Sequence, residues 1–376
     1  FLETLQVILW QPVVVEYIKK NMEVHFYVAA SSINSTKANL GKLGIQHRIL
    51  MGDVQELIKK QTINDTMNPR SSSSYYQTYH SLKEIYYWME EVAQVHSDLL
   101  EKIHIGSSYE KRPLYVLKLS KGQGNPKSAI WIDCGIHARE WISPAFCLWF
   151  IGHAINMREK DQTMTTLLHH FDFYVMPVIN VDGYEYTWSH PSNRLWRKSR
   201  SQHGNNRCIG TDMNRNFDAQ WCGMTPFPLP CTPVSVSAYA ISLLSITITF
   251  YPNTLVLRCI FELQTYSQLV LFPYSYTMKK SKDHDELESL AKKAAKAIKR
   301  TTNYIYKLGT GARTIYLAPG GSDDWAYDLG IKYSFTIELR DTGTYGFLLP
   351  PEEIRPTCLE ALSAVKEIAL HVLQNL

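Results

Sequence analysis

The chain of 376 residues has little excess charge of either sign and few cysteines for its length. Its 39 lysines and arginines against 35 aspartates and glutamates leave a net charge of +4. That excess is too small, and too evenly spread, to indicate nucleic acid as a partner. Seven cysteines cannot all pair within one chain, because their number is odd. The chain begins at Phe1 without a basic and apolar leader, which excludes little because an N-terminus can be trimmed.

Hydrophobic residues make up 45% of the chain and charged residues 20%, proportions that exclude a mainly disordered protein. Two Asn-X-Ser/Thr sequences, at Asn34 and Asn64, are typical of a secreted glycoprotein. We therefore expect an extracellular protein that is glycosylated at these two positions.

A polar stretch divides the sequence into two predicted domains, residues 1–70 and 71–376. The first has strand-like and helix-like runs typical of a small α/β unit. The stretch that follows it holds a proline and four consecutive serines, which is typical of an exposed linker. Arg70 lies in this stretch before Ser71, and a trypsin-like protease cleaves after an exposed arginine. The alternative is an ordinary interdomain linker without a cleavage site.

The second predicted domain alternates short apolar runs with helical patterns. This alternation favours a mixed, mainly parallel central sheet with helices on both faces. In such sheets the functional residues lie beyond the carboxyl ends of the strands. The predicted strands are Ile130–Asp133, Phe173–Ile179 and Tyr333–Ile337, and the predicted helices are His80–Val95, Leu287–Lys299 and Leu359–Leu373.

His137 and Glu140 directly follow the predicted strand Ile130–Asp133. A turn there can direct an imidazole and a carboxylate at one ion, and catalytic zinc takes these donors. The alternative is a solvated loop, because His-x-x-Glu by itself is a common pattern.

A cluster of arginines follows, with Arg194 and Arg197 and then Asn214 and Arg215. Guanidinium groups bind carboxylates through two parallel hydrogen bonds, so a substrate with a free carboxylate fits this cluster. The alternatives are a solvated basic surface and a phosphate site.

Glu338 ends an apolar strand, where a carboxylate is costly to bury without a partner or a role. Beside a metal-bound water it would serve as a general base, and the alternative is an ion pair with Arg340 or another arginine.

Tyr316 stands next to a Gly-Gly loop that could bring its phenol over a substrate. Asp324 is predicted to be a helix N-cap, which leaves Asp323 for another role.

Four segments in this order resemble the A/B subfamily of zinc metallocarboxypeptidases. They are His-Ala-Arg-Glu-Trp-Ile, Asn-Arg-Leu-Trp-Arg-Lys, Asp-Met-Asn-Arg-Asn-Phe and Ile-Glu-Leu-Arg-Asp-Thr-Gly. The resemblance implies a proenzyme whose residues 1–70 form a ferredoxin-like activation domain, removed by cleavage after Arg70. It also implies one zinc ion per chain and peptide or protein substrates, and no membrane partner.

The resemblance assigns roles to individual residues. His137 and Glu140 match two zinc ligands, Glu338 the general base and Arg197 the group that polarises the scissile carbonyl. The residues that would bind substrate are Arg139, Asn214, Arg215, Tyr266, Tyr316 and Asp323. A carboxylate at Asp323, in the specificity pocket, implies selection of C-terminal arginine or lysine. Cys134 and Cys147 match a family disulfide.

The chain departs from the family at the third zinc ligand, where Gln264 stands in place of a histidine. A neutral amide oxygen is a poor zinc ligand. The surrounding stretch departs as well, because residues 219–257 contain no charged residue and no histidine. The partners of Cys208 and Cys222 stay open, with Cys231 and Cys259 as the local candidates.

Three interpretations of this stretch compete: a membrane span, a genuine variant that binds zinc weakly, and a misread coding segment. A span is disfavoured by its short length and its serines and threonines. Two functions of the chain compete as well. One is an active carboxypeptidase of basic specificity, and the other is a non-catalytic protein that binds C-terminal basic residues. A third hypothesis makes the 1–70 unit a separate inhibitory or binding module.

Overall fold

The computed structural model describes residues 7–13, 15–62, 75–121, 127–202, 209–221 and 256–376. Within it the chain forms two compact units, Phe1–Asp53 and Val54–Leu376. Arg70, Ser71 and Asn64 lie outside the described residues, and so does most of the stretch without charge. The predicted domain boundary at residue 70 therefore stays a prediction.

The first unit contains a two-stranded antiparallel sheet and one α-helix in its described part. Val7 pairs with Val28 at one end of the sheet, and Gln11 pairs with His25 at the other. The elements are β1 (Val7–Gln11), β2 (His25–Val28) and α1 (Ile33–Lys42).

The second unit is built on an eight-stranded mixed sheet with helices packed on it, as the sequence predicts. Its strand order is β3-β4-β6-β5-β7-β10-β8-β9, and four of the seven pairings are parallel. The strands are β3 (Leu100–Ser107), β4 (Pro113–Leu119), β5 (Ser128–Cys134), β6 (Phe171–Met176), β7 (Val256–Gln264), β8 (Leu269–Phe272), β9 (Lys307–Thr310) and β10 (Tyr333–Glu338).

The central strands are near-continuous apolar runs because the sheet is covered on its faces. Every residue of β6 and β10 is buried, and so is every residue of β5 after Ser128. The helices are α2 (Val54–Thr62), α3 (Leu82–Val95), α4 (Ile142–Met157), α5 (Gln162–His170), α6 (Val181–Ser189), α7 (His284–Thr302), α8 (Gly311–Thr314), α9 (Ser322–Asp328) and α10 (Ile354–Gln374). In the described part of the chain no helix is long and apolar enough to cross a membrane.

Local sequence explains where the helices begin. Ser81 caps α3, because its hydroxyl accepts from the Glu84 N–H while the Glu84 carboxylate accepts from the Ser81 N–H. The predicted start of the last helix at Leu359, after Pro356, is wrong, since α10 begins at Ile354. A proline in the first turn is tolerated because no N–H there has an intrahelical partner.

Candidate active site

Three adjacent parallel strands end together and place the predicted residues at one edge of the sheet. Cys134 of β5 lies opposite Leu263 of β7, and Gln264 of β7 lies opposite Glu338 of β10. The loop that follows β5 carries His137 and Glu140. The candidate site therefore lies at the carboxyl ends of the strands, as expected for this fold class.

His137 and Glu140 are both buried, and their side chains meet. Nδ1 of His137 lies 2.9 Å from Oε1 of Glu140. The two atoms are not aligned for a hydrogen bond, and Nδ1 has no other partner within the described residues. The other ring nitrogen, Nε2, lies 3.3 Å from Oδ1 of Asp212. A carboxylate that orients a metal-binding imidazole through its second nitrogen is a common feature of zinc sites. The solvated-loop alternative is therefore wrong, and the His137–Glu140 pair fits zinc.

Arg197 and Asp212 hold this pair in place. Nε of Arg197 donates to Oδ2 of Asp212 at 2.9 Å, and its Nη1 lies 3.8 Å from Oε1 of Glu140. Burial acts to raise the pKa of Asp212, but Arg197 and His137 outweigh burial and hold that pKa well below its usual range. Asp212 is therefore a carboxylate fixed between an arginine and a histidine.

Gln264 ends β7 beside the two donors. The main-chain carbonyl of Gln264 accepts from the Leu339 N–H at 2.9 Å, and the neighbouring Thr265 N–H donates to Oε2 of Glu140 at 3.1 Å. Across the described ranges no three His, Cys, Asp or Glu side chains are arranged to hold a metal ion. The described residues thus offer zinc two strong donors, His137 and Glu140, and Gln264 ends the neighbouring strand with an amide.

Asn214, Arg215 and Tyr316 lie together, as the resemblance implies. Nη2 of Arg215 donates to the Tyr316 hydroxyl at 3.2 Å, and Oδ1 of Asn214 accepts from the Ser322 N–H at 2.9 Å. The Asp212 side chain caps the short 3-10 helix that carries Asn214 and Arg215. One guanidinium and one phenol are therefore placed side by side at the edge of the site.

Asp323 and Asp324 both lie in the first turn of α9, whose N-cap is Gly321. The prediction that Asp324 is the N-cap is therefore wrong. The Asp324 carboxylate instead accepts from the Ser275 N–H, at 2.8 and 2.9 Å to its two oxygens, and from the Tyr276 N–H at 2.8 Å. Burial, followed by the Asp323 carboxylate, raises the pKa of Asp324 to about 9. Asp323 accepts from the Ser275 hydroxyl at 3.2 Å, and burial raises its pKa as well.

Glu338 is buried at the end of β10 and does not pair with Arg340. The Arg340 guanidinium binds Glu353 and Glu360 instead, so a pair between Glu338 and Arg340 is excluded, and a pair with another arginine stays an alternative. Burial, followed by the Glu140 carboxylate, raises the pKa of Glu338 well above its ordinary value, and Arg197 acts against this rise. A carboxyl group with a raised pKa is suited to accept and return a proton near neutral pH.

Arg139 and Tyr266 both pack against one phenyl ring, that of Phe347. The guanidinium carbon of Arg139 lies 3.9 Å from the centre of the Phe347 ring, and Tyr266 meets that ring edge-on at 5.0 Å. Burial, and next the charge of Arg197, lowers the pKa of Arg139 to about 9. Its Nε and Nη2 have no hydrogen-bond partner among the described residues. Arg139 is thus a buried cation with two donors directed at no acceptor.

Arg194 is fully buried, so it is not part of a solvated basic surface. It donates to Gln61, to the Arg139 carbonyl at 2.6 Å and to the Phe347 carbonyl at 2.7 Å. All three acceptors are neutral groups, so Arg194 supports the neighbouring loops rather than binding an anion.

Cys134 and Cys147 form a disulfide, with 6.3 Å between their Cα atoms. It ties the end of β5 to α4 behind the His137 loop and closes a short loop, worth on the order of 3 kcal/mol. Cys259 is a buried free thiol within β7. Cys208, Cys222 and Cys231 lie outside the described residues.

Sequence reasoning missed Glu262, which is fully buried on β7 two residues before Gln264. Side chains two apart on a strand point to the same face. The sequence could have indicated Glu262, because it is a glutamate inside an apolar strand and lies two residues before the candidate site residue Gln264.

Comparison with known families matches most of the chain. Residues 85–364 match the family described as "Zinc carboxypeptidase", and residues 2–61 match "Carboxypeptidase activation peptide". Together these two matches span both compact units.

Individual relatives agree with the family matches. Carboxypeptidase B2 of Rattus norvegicus is 55% identical and that of Homo sapiens 53% identical, each over 99% of this chain and 89% of the relative. The crystal structure of thrombin activatable fibrinolysis inhibitor is 52% identical, with a TM-score of 0.93 over 99% of this chain and 94% of that one.

Proposed function

The chain belongs to the zinc carboxypeptidases and carries their activation peptide, and on this premise we propose that it removes C-terminal arginine or lysine from peptides and proteins. The observation that carries the proposal is the placement of Asp323. Asp323 is buried in the first turn of α9, where it accepts from the Ser275 hydroxyl at 3.2 Å. Burial raises the pKa of this carboxyl group, and the Arg215 guanidinium acts against the rise. Arg215 supports recognition of the terminal carboxylate, and Asp323 supports recognition of a basic side chain.

Each residue of the site then has a role in hydrolysis. His137 and Glu140 would hold one zinc ion, with Gln264 at the third position. Bound zinc lowers the pKa of a water to about 7 and polarises a carbonyl. Glu338 accepts the proton of the attacking water and passes it to the leaving amine.

The remaining residues bind and orient the substrate. Arg197, held by Asp212, stabilises the oxyanion that develops on the scissile carbonyl. Asn214, Arg215 and Tyr316 bind the terminal carboxylate, which restricts the enzyme to chain ends. Arg139 and Tyr266 line the approach for the residues that precede the scissile bond.

The protein would be secreted as a zymogen and activated outside the cell. The sequons at Asn34 and Asn64 and the Cys134–Cys147 disulfide support an extracellular location. Cleavage between Arg70 and Ser71 by a trypsin-like serine protease would release the activation segment.

A second function is favoured by Gln264. A site that lacks the third imidazole would bind zinc weakly. The chain would then bind C-terminal arginine or lysine through Arg215 and Asp323 without cleaving it.

Hydrolysis of a blocked dipeptide tests both functions. The chain is treated with trypsin, the trypsin is inhibited, and zinc is added before release of free arginine from benzoyl-Gly-Arg is measured. We expect release by the wild-type chain, none by Glu338→Gln, and a preference for aliphatic ends in Asp323→Ile. Binding of the dipeptide without release supports the second function, and neither binding nor release overturns both.

A further inference from the structure

Glu262 is a fully buried acid with one oxygen unused. Its Oε2 accepts from the Thr336 hydroxyl at 3.2 Å, whereas Oε1, within the described part of the chain, has no hydrogen-bond partner. Burying a carboxyl oxygen without a partner is costly, so natural proteins rarely leave one. Such an oxygen is therefore expected to meet a ligand.

The pleat of β10 places Glu262 between the general base and the specificity acid. Thr336 lies opposite Glu262, and Glu338 lies opposite Gln264. Ser334, Thr336 and Glu338 share one face of the strand because they alternate by two. The Ser334 hydroxyl donates to the Asp323 carbonyl at 2.8 Å, just as the Thr336 hydroxyl donates to Glu262. One strand face thus contacts the main chain of Asp323 and the side chain of Glu262 before it reaches Glu338.

Carboxyl groups and neutral side chains surround Glu262, and the carboxyl groups are those of Asp133 and Asp323. Asp133 lies directly opposite Glu262 on β5. Oδ1 of Asp133 and Oγ of Ser322 also lack partners among the described residues. The surroundings of Glu262 are therefore rich in acceptors, and a cation that entered them would meet two acids rather than one.

We propose that Glu262 is a second acid of the specificity pocket, which together with Asp323 binds the guanidinium of a C-terminal arginine. The inference rests on the proposed function and deepens it. A guanidinium carries five N–H donors in a flat fork, so it can bind Asp323 and Glu262 at once. A lysine ammonium is a compact group and is expected to bind one of the two acids. The pocket is therefore expected to prefer arginine to lysine.

Calorimetric titration with three blocked dipeptides tests this assignment. The probes are benzoyl-Gly-Arg, benzoyl-Gly-Lys and benzoyl-Gly-citrulline, whose last side chain has nearly the shape of arginine without its charge. All chains are trypsin-treated and carry Glu338→Gln, so that no peptide is consumed. The variants are Glu262→Gln and Asp323→Asn, with Glu288→Gln as the control, because Glu288 pairs with Lys292 on the solvent-facing side of α7.

We expect Glu262→Gln to weaken binding of the arginine peptide about 10-fold and of the lysine peptide about 2-fold, and to leave the citrulline peptide nearly unchanged. If the folded Glu262→Gln chain keeps the parent's ratios of affinity among the three peptides, while Asp323→Asn still loses affinity for the arginine peptide, the inference is overturned. Should Glu262→Gln fail to fold, the parent chain decides, because equal affinity for arginine and lysine overturns the inference too. A parent chain that binds arginine no better than citrulline would instead overturn the proposed function.

Discussion

The Gln61 side chain holds the buried guanidinium of Arg194 and a neighbouring carbonyl at the same time. Its Oε1 accepts from Nε of Arg194 at 3.0 Å, and its Nε2 donates to the Leu349 carbonyl at 2.8 Å. Arg194 also lies 3.7 Å from the centre of the Trp141 ring. Gln61 is the last residue that the activation-peptide family matches. A segment proposed to leave on activation therefore supplies a partner to a buried cation of the enzyme.

Removing the Gln61 amide should destabilise the uncleaved chain. Gln61→Leu keeps the size of the side chain but leaves Nε of Arg194 unpaired, whereas the Leu349 carbonyl still accepts from the Tyr79 hydroxyl. We expect urea unfolding to show a loss of roughly 1–3 kcal/mol, because a buried unpaired group costs about 1–3 kcal/mol. Gln55→Leu, at an exposed position of the same helix, is the control and should change stability by less than about 0.5 kcal/mol. Equal stability of the Gln61→Leu and Gln55→Leu chains would contradict this role.

Restoring an imidazole at position 264 should strengthen zinc binding. Gln264→His adds a third strong donor beside His137 and Glu140, as in the catalytic sites that bind zinc tightly. We expect the variant to keep about one zinc ion per chain through dialysis against a chelator that strips the wild-type chain, with an affinity gain above about 100-fold.

The control for that comparison is Gln55→His, which adds a histidine to an exposed helix position. Metal content is measured by atomic emission on all three chains. Equal zinc retention by the wild-type and Gln264→His chains would show that position 264 does not limit binding.

The strands and the donor residues were predictable because both depend on local patterns. Apolar runs predict β5 and β10, and the His137–Glu140 spacing predicts a turn that brings both donors together. The role of Asp324 was not predictable, because its partner N–H groups come from Ser275 and Tyr276, far away in the sequence. Glu262 stood out in the sequence as a glutamate inside an apolar strand, but its neighbours were not predictable, because they depend on the register between strands.

The Arg340–Glu360 ion pair should contribute strongly to folding. Glu360 is fully buried on α10 and accepts from Nε of Arg340 at 2.9 Å and from the Tyr306 hydroxyl at 2.9 Å. Although burial opposes it, the Glu360 carboxylate raises the pKa of Arg340. We expect Glu360→Ala to cost about 3–5 kcal/mol in unfolding free energy, because it leaves a buried cation without its main partner.

Denaturant unfolding of Glu360→Ala beside Glu352→Ala checks this prediction. Glu352 is an exposed acid just before the same helix, so its loss should have little effect. A similar, small change in both variants would mean that Glu353 alone satisfies Arg340.

His153 should make the protein less stable as the pH falls below neutrality. It stacks on Trp149 at 4.8 Å, and burial, followed by the charge of Lys366, lowers its pKa to about 4, although Asp161 acts against this. In the unfolded chain the imidazole takes up its proton near pH 6.5. Between pH 6.5 and 4 the unfolded state therefore binds more protons than the folded state, and stability falls with falling pH, by about 3 kcal/mol in all.

His153→Phe keeps a flat ring on Trp149 and removes the titrating group. We expect the unfolding free energy of this variant to depend less on pH between 6.5 and 4 than that of the wild-type chain, measured by urea titration at each pH. His169→Phe replaces an exposed histidine and should leave the wild-type dependence intact. The difference between the two chains isolates this one imidazole from every other group that titrates in the same range. Parallel curves of unfolding free energy against pH for the wild-type and His153→Phe chains would therefore show that His153 takes up its proton equally in the folded and unfolded states.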